Sequence, residues 1–332
     1  MDEEIKSVLI AGGAGYLGQV LSEKLLAEGM RVRVFDLFVH GPQNFSRIAD
    51  NPNFSLTVGD ALKIPDLREA ALEVDAVVYL AAVVGDAAVA KDPELAVKLN
   101  RDAPILFRDR VSQLGTLKKF VFCSTDSCYG NRPGENLDED SRLLPVSLYA
   151  KTKADAETRI LASREAELRE GIRGPATTVL RPGTAFGLSP RMRFDLVLNL
   201  LVREATLKKT FVVRSGEQWR PFVHARDIAE AFRLVLKAPR DLADGKVFNV
   251  GSDAMNVKFR DLGNLISETL DAKMTIEPGV PDLRDYRVNF GRIRSVLGFE
   301  ARVSLREGIL EIADALRRGV FPDPHSRAHV NA

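Results

Sequence analysis

Two hydrophobic rhythms alternate along this chain. Ser7-Val-Leu-Ile-Ala11 is a short apolar run that stops at glycines, the pattern of a parallel strand buried on both faces. From Tyr16 the period lengthens. Leu17, Val20, Leu21 and Leu25 recur at helical spacing until Gly29, a residue suited to a helix C-terminus. Residues 31–35 again read as a strand, ending at Asp36. Further strands are predicted at 54–58, 75–80, 119–122 and 177–181, with helical stretches at 64–72, 93–114 and 149–170 between those four. Strands and helices alternating over short connections predict an α/β fold, a doubly wound parallel sheet.

After about Arg181 the spacing becomes irregular. Helical patterns at 195–205, 227–236, 260–270 and 305–317 are separated by loops rich in Pro and Gly. We therefore expect a first domain over 1–182 and a smaller C-terminal α/β lobe over 183–321. Part of the latter, about 225–250, is expected to return to the first sheet. No repeat, linker or low-complexity segment interrupts the pattern. Residues 322–332 carry two prolines and two histidines and read as a poorly ordered tail.

Composition narrows the partners. Among 332 residues, Lys+Arg 47 against Asp+Glu 46 leave a net charge of +1, so no global field favours nucleic acid or membrane. Charges interrupt every apolar run, and the acidic start Met-Asp-Glu-Glu does not read as a signal peptide. A cytoplasmic protein is expected. Cys123 and Cys128 offer neither a disulfide framework nor metal-ligand spacing, and both read as buried filler. No metal is expected.

Gly12-x-x-Gly15-x-x-Gly18 lies between the first predicted strand and helix. Glycine there permits a tight turn, close approach of backbone to a pyrophosphate, and close packing of helix on strand. The helix start adds N–H groups and the positive end of its dipole. Asp36 is placed to accept from an adenosine ribose hydroxyl and to repel a 2′-phosphate, which favours NAD over NADP. Asp60, after the third strand, suits an adenine-amine contact. Tyr149-Ala-Lys-Thr-Lys153 puts a phenol and an ammonium one turn apart on a helix. A free phenol has a pKa of about 10, and a nearby cation favours its ionised form. Such a phenolate can take a proton from a sugar hydroxyl while a hydride leaves the same carbon. Ser124 or Thr125 could complete the proton path.

With these motifs, the chain resembles the extended short-chain dehydrogenase/reductase family, in its branch of nucleotide-sugar epimerases and dehydratases. The likeness also runs through Gly59-Asp60, Ala81-Ala82, Asn100, Tyr129-Gly130, Arg181-Pro-Gly183, Arg220-Pro-Phe-Val-His224, Asn249-Val-Gly251 and Asp282-Leu-Arg-Asp-Tyr286. It implies a Rossmann sheet, bound NAD, a nucleotide-diphosphate sugar as substrate, and a homodimer joined through the helix after the fourth strand and the helix bearing Tyr149. Tyr149 would be the acid/base, Lys153 the residue that holds the nicotinamide ribose, and Thr125 the catalytic hydroxyl, with Asp126 a candidate acid/base. Gly12, Gly15, Tyr16, Leu17, Gly18, Asp36, Asp60, Ala61, Leu80, Ala81, Ala82, Asn100, Ser124, Tyr149, Lys153, Arg181 and Gly183 would surround NAD. Val84, Thr184, Arg193, Asn199, Arg220 and Arg284 would meet the substrate, the last two gripping its diphosphate as arginine forks do.

Departures bear on the reaction. Family members that remove water across C5 and C6 carry Thr-Asp-Glu where this chain has Thr125-Asp126-Ser127, and a serine hydroxyl cannot replace that carboxylate as a base. Thr184 stands where many relatives have an asparagine. The stretch Leu188-Ser-Pro-Arg-Met-Arg-Phe-Asp195 resembles a subgroup acting on unusual hexoses or heptoses. His224 reads as structural. A 4-epimerase is the leading expectation. The alternatives are an enzyme that stops at the 4-keto sugar, a 4-ketosugar reductase using NADH or NADPH, and, more remotely, a sensor that binds NAD without chemistry.

Overall fold

A computed structural model describes residues 4–39, 41, 45–113, 115–279 and 284–331. Residues 1–3, Leu114, Asp282 and Leu283 of the last motif, and Ala332 of the tail lie outside the described residues. In chain order the first half contains β1 (Ser7–Ala11), α1 (Tyr16–Ala27), β2 (Arg31–Asp36), β3 (Phe54–Val58), α2 (Ile64–Ala70) and β4 (Ala76–Tyr79). It continues with α3 (Asp86–Lys91), α4 (Pro93–Val97), α5 (Ala103–Ser112), β5 (Lys119–Cys123), β6 (Asn131–Leu137), α6 (Leu148–Arg169) and β7 (Ala176–Pro182). The second half contains β8 (Thr184–Phe186), α7 (Val197–Lys208), β9 (Thr210–Arg214), β10 (Trp219–His224), α8 (Ala225–Lys237), α9 (Arg240–Ala243) and β11 (Val247–Val250). Then come β12 (Asn256–Lys258), α10 (Phe259–Leu270), β13 (Lys273–Glu277), β14 (Asp285–Val288), α11 (Gly291–Leu297) and α12 (Leu305–Arg317).

Seven strands form one parallel sheet in the order β11-β7-β5-β4-β1-β2-β3. The strand order reverses between β1 and β4, which opens a crevice at their carboxyl ends. Burial on both faces explains the unbroken apolar runs. Val8 and Ile10 of β1 join one core with Leu21 and Leu25 of α1 and Ile228, Phe232 and Val235 of α8. Leu9 and Ala11 face the other core, with Leu67 of α2, Phe107 and Val111 of α5, and Ile160 of α6. Each such fully buried aliphatic or aromatic side chain contributes roughly 1.5–3 kcal/mol.

The sequence pattern does not show three small sheets, β12-β10-β8 and β13-β9 of the second half and β14-β6, which joins β6 of the first half. They are short, and β6, with sequence Asn-Arg-Pro-Gly-Glu-Asn-Leu, has no strand-like periodicity. Within the expected helix over 93–114, residues Lys98–Asp102 adopt a π turn between α4 and α5. Pro104 explains it, since it has no N–H for the Asn100 carbonyl four residues back. The expected loose tail is instead docked. Phe194 N donates to the His329 carbonyl at 2.9 Å, and the rings of Phe194, Phe321 and His329 meet edge to face.

Candidate active site

The glycine turn, Asp36, Asp60, the Leu80–Ala82 stretch and Ser124–Thr125 all follow carboxyl ends of neighbouring strands, around the switch point. Gly12 has φ +80°, and a Cβ there would lie 2.5 Å from the Ala81 nitrogen. A Cβ on Gly18 would strike the Gly13 backbone at the same distance. Glycine is required at both points, one for the approach of β1 to β4, the other for the packing of α1 on its own turn. Helix α1 starts without a side-chain cap and without an acid in its first turn, so its N–H groups are left for an anion. Asp36 accepts from Ala14 N at 3.0 Å and Phe38 N at 2.9 Å, which fixes its carboxylate beside the turn. Asp60 accepts from Leu62 N at 2.9 Å, with Ala61 buried behind it. Leu17, Leu80, Ala81, Ala82 and Val84 are half-buried and border the same crevice. These residues fit the adenosine diphosphate half of NAD.

Helix α6 carries the proton-transfer pair. Ser147 caps it by accepting from Ala150 N at 3.3 Å, which sets Tyr149 in the first turn and Lys153 one turn on. Lys153 is buried, its Nζ 4.1 Å from the centre of the Phe122 ring. Desolvation lowers its pKa to about 8, against the opposing pull of Cys123, Cys128 and Glu157. Tyr149 is half-buried. Burial raises its phenol, the thiols of Cys123 and Cys128 and the Asp126 carboxyl add to the rise, and Arg193 opposes it. In the protein alone, desolvation outweighs Arg193, the cation that favours the phenolate.

Thr125 caps the short helical turn of Asp126–Tyr129, its Oγ1 accepting from Ser127 N at 3.2 Å. Ser124 N donates to the Leu180 carbonyl at 2.7 Å, and its Oγ lies 3.8 Å from Cys128 Sγ. Asp126 is 2% exposed, and its Oδ2 has no hydrogen-bond partner among the described residues. Desolvation raises its pKa to about 7, even though Arg220, Arg284 and the hydroxyls of Tyr286 and Thr125 favour the ionised form. Arg220 lies between the rings of Phe259 and Tyr286 and donates to the carbonyls of Trp219 and Arg284. Arg284 pairs with Asp86 at 3.4 Å. Arg193 pairs with Asp195 at 2.5 Å, and Thr184 sits in β8 opposite Phe222 of β10.

Several residues expected at the ligands are committed elsewhere. Arg181 is buried against Glu157 and donates to Tyr129 Oη at 2.9 Å and to the Glu139 carbonyl at 3.3 Å. It forms a buried ion pair that ties β7 to α6. Asn100 accepts from Val83 N at 2.7 Å and donates to Val83 O at 2.9 Å, so it shapes the loop after β4. Asn199 accepts from Gly187 N and donates to the Arg193 carbonyl, and thus braces the backbone between them. The Tyr16 hydroxyl turns away to the Gly187 carbonyl at 2.7 Å. Gly183 N donates to Val250 O at 3.0 Å, tying β7 to β11. Cys123, read as buried, is half-buried near Lys153 and Tyr149, and desolvation raises its thiol to about 11. Tyr286, in the motif around Arg284, meets Asp126 through its hydroxyl, a role that no local spacing announces. His224 accepts from Arg226 N at Nδ1, so its proton sits on Nε2, 2.5 Å from Glu311.

A basin of about 1170 Å³ opens at the opposite, amino-terminal edge of the sheet. Its Lys237, Lys118 and Arg240 are paired with Glu28, Asp75 and Asp244. Among the described residues no cluster of His, Cys, Asp or Glu is arranged for a metal, and no helix is long and apolar enough to cross a membrane.

Residues 8–251 match the NAD dependent epimerase/dehydratase family. The chain belongs to that family. It is an NAD-dependent enzyme of the extended short-chain dehydrogenase/reductase type, and NAD is its cofactor. An uncharacterized protein, y4nG, of Sinorhizobium fredii is 28% identical over 227 residues, 68% of this chain and 52% of that protein's length. The UDP-glucose 4-epimerase of Mycolicibacterium smegmatis is 25% identical over 317 residues, covering 93% of this chain and 98% of the relative. Among solved structures, MoeE5 in complex with UDP-glucuronic acid and NAD superposes with a TM-score of 0.81 at 26% identity, covering 94% of this chain and 99% of MoeE5.

Proposed function

We propose that this family member is a nucleotide-sugar 4-epimerase. The observation that carries the reading is the pairing of a complete Tyr149–Lys153–Thr125 set with Ser127 where water-removing relatives need a carboxylate. In support, the similar proteins include an epimerase matched over nearly its whole length and a protein bound to UDP-glucuronic acid. Bound NAD would accept a hydride from C4 of the sugar and return it to the other face, its positive ring adding the charge that favours the Tyr149 phenolate. Tyr149 takes the C4 hydroxyl proton and later gives it back. Thr125 holds that hydroxyl, and Lys153 orients the nicotinamide ribose. Residues 1–182, with the returning α8–β11 segment, hold the cofactor and the proton relay, while 183–321 supply the substrate side. Arg220 and Arg284 carry positive charge toward the diphosphate, Arg284 exchanging Asp86 for phosphate.

A second reading, proton exchange beside a 4-keto sugar, is favoured by one feature. Asp126, with a pKa of about 7, can serve as either acid or base near neutrality. The two separate on incubation of the protein in heavy water with UDP-, GDP-, CDP- and dTDP-sugars. Retained NAD, an inverted C4 and no solvent deuterium in the product support the epimerase. Deuterium at C3 or C5 supports the second reading. Activity only with added NADH that is consumed overturns both and points to a reductase. A cytoplasmic homodimer is part of the proposal, with exposed Leu106 of α5 and Leu148 of α6 available to an interface. Leu106→Glu is expected to yield monomers by light scattering.

A further inference from the structure

The residues from Gly187 to Asp195 form an arch that touches both halves of the site. At one end, Gly187 accepts from the Tyr16 hydroxyl and Ser189 donates to the Tyr16 carbonyl at 2.8 Å, so the arch grips the start of α1 at the glycine turn. At the other end, Arg193 is buried, lies 3.9 Å from the position a Cβ on Gly85 would take, and acts electrostatically on Tyr149. Asn199 holds the arch from beneath through Gly187 N and the Arg193 carbonyl.

What holds it from outside is the end of the chain. Met192 accepts from the His329 ring, Phe194 N donates to the His329 carbonyl at 2.9 Å, and Arg191 donates to the Val330 carbonyl at 3.4 Å. The Asn331 N–H reaches the Asp195 carboxylate, the partner of Arg193. Phe194, Phe321 and His329 form three mutual edge-to-face contacts with ring centres 5.3–5.5 Å apart. Arg203 lies over the Phe194 ring and donates to the Pro324 carbonyl at 3.2 Å. Arg191, Met192, Phe194 and Asp195 thus meet the terminal segment, although that segment is far in sequence from every motif of the site.

We propose that the C-terminal segment is a working part of the active-site wall: by clamping residues 191–195 it positions Arg193 beside Tyr149 and holds the arch against the cofactor cradle, with His329 as the positioning residue. The activity side of this inference rests on the proposed epimerase reading. The cofactor side does not. The charged and titratable groups around Tyr149 are Cys123 of β5, Asp126 and Cys128 of the following turn, Lys153 of its own helix and Arg193 of the arch. Of these, Arg193 is the one that the terminal segment holds through its partner and its neighbours.

The test uses the full-length holoenzyme with His329→Ala, with His329→Phe, which keeps the ring stack, and with His325→Ala, an exposed histidine of the same segment, as control. Three quantities are read: loss of bound NAD during dialysis, thermal midpoint, and the acidic limb of kcat/KM. His329→Ala should lose NAD severalfold faster and move the acidic limb upward by about one pH unit, because a cation near Tyr149 is no longer held in place. His329→Phe should recover much of both, and His325→Ala should match the parent. A lower midpoint with unchanged NAD loss and an unchanged limb would show mere packing and overturn the proposal, as would no change at all. If the parent turns over no nucleotide sugar, the epimerase reading fails and NAD retention alone decides the clamp.

Discussion

Two buried polar clusters sit on adjacent parts of the same framework, and they are built on opposite terms. In the first, Arg181 is matched by Glu157, Tyr129 donates to Asn249 at 2.8 Å, and Glu139 accepts from Asn249 N at 2.8 Å. Donors and acceptors meet, and the group ties α6, β7 and β11 together behind the site. In the second, around Tyr149, Lys153 and Asp126, desolvation dominates. The lysine is pushed down to about 8, the aspartic acid up to about 7, and one carboxylate oxygen lacks a partner. The charged groups of both clusters are buried, so the difference lies in matching. A structural cluster is stable because each buried group has its complement. Groups poised for proton transfer are kept off balance, at a cost in stability that the rest of the fold offsets.

The sharpest break in the comparison comes from Tyr149→Phe. Turnover is expected to fall by roughly 100- to 10,000-fold, the range for a lost acid/base, while NAD retention and the thermal midpoint stay near the parent's. Next in size is the matched cluster. Glu157→Leu leaves Arg181 buried without its counter-charge and should cost about 3–5 kcal/mol in urea unfolding, whereas Arg181→Met with Glu157→Leu together should recover most of it. Equal losses for the single and the double variant would show that the pair is not the source.

The unmatched cluster should respond in the opposite direction. Asp126 has a folded pKa raised from 3.8 to about 7, so the stability tied to its neutral form is complete below the lower value and is lost as pH rises through the higher one. Asp126→Asn removes that loss. Its advantage over the parent should grow by about 2–3 kcal/mol between about pH 5 and pH 8, measured by urea unfolding at each pH. An advantage that is flat with pH would mean that Arg220 and Arg284 already keep the carboxylate ionised. The smallest effect is expected at the cradle. Asp36→Asn keeps the shape and drops the charge, so NAD affinity should fall by about tenfold and NADP affinity should rise, by fluorescence titration.

The motifs that could be read from the chain are those whose parts are close in sequence. Gly12, Gly15 and Gly18 lie in one turn, and Tyr149 and Lys153 in one helix turn, so local geometry alone brings them together. The parallel sheet was legible for a similar reason, since each buried strand repeats the same apolar run between helices. The structural partners of Arg181, Asn100, Asn199 and the Tyr16 side chain were not legible because they are distant in sequence: Glu157, Val83, Gly187 and Gly187 again. No spacing rule announces such pairings.

Local pattern thus determined the strand–helix alternation of the large sheet, the cradle and the Tyr/Lys pair, because these depend on backbone preference and periodic burial within a few residues. Tertiary packing alone decided which polar groups are complemented and which are left unbalanced, how far Lys153 and Asp126 shift, and that the last residues close over Arg191–Asp195. The reason is physical. Desolvation and long-range hydrogen bonding depend on what the folded chain places around a group, and that is written in no single stretch of sequence.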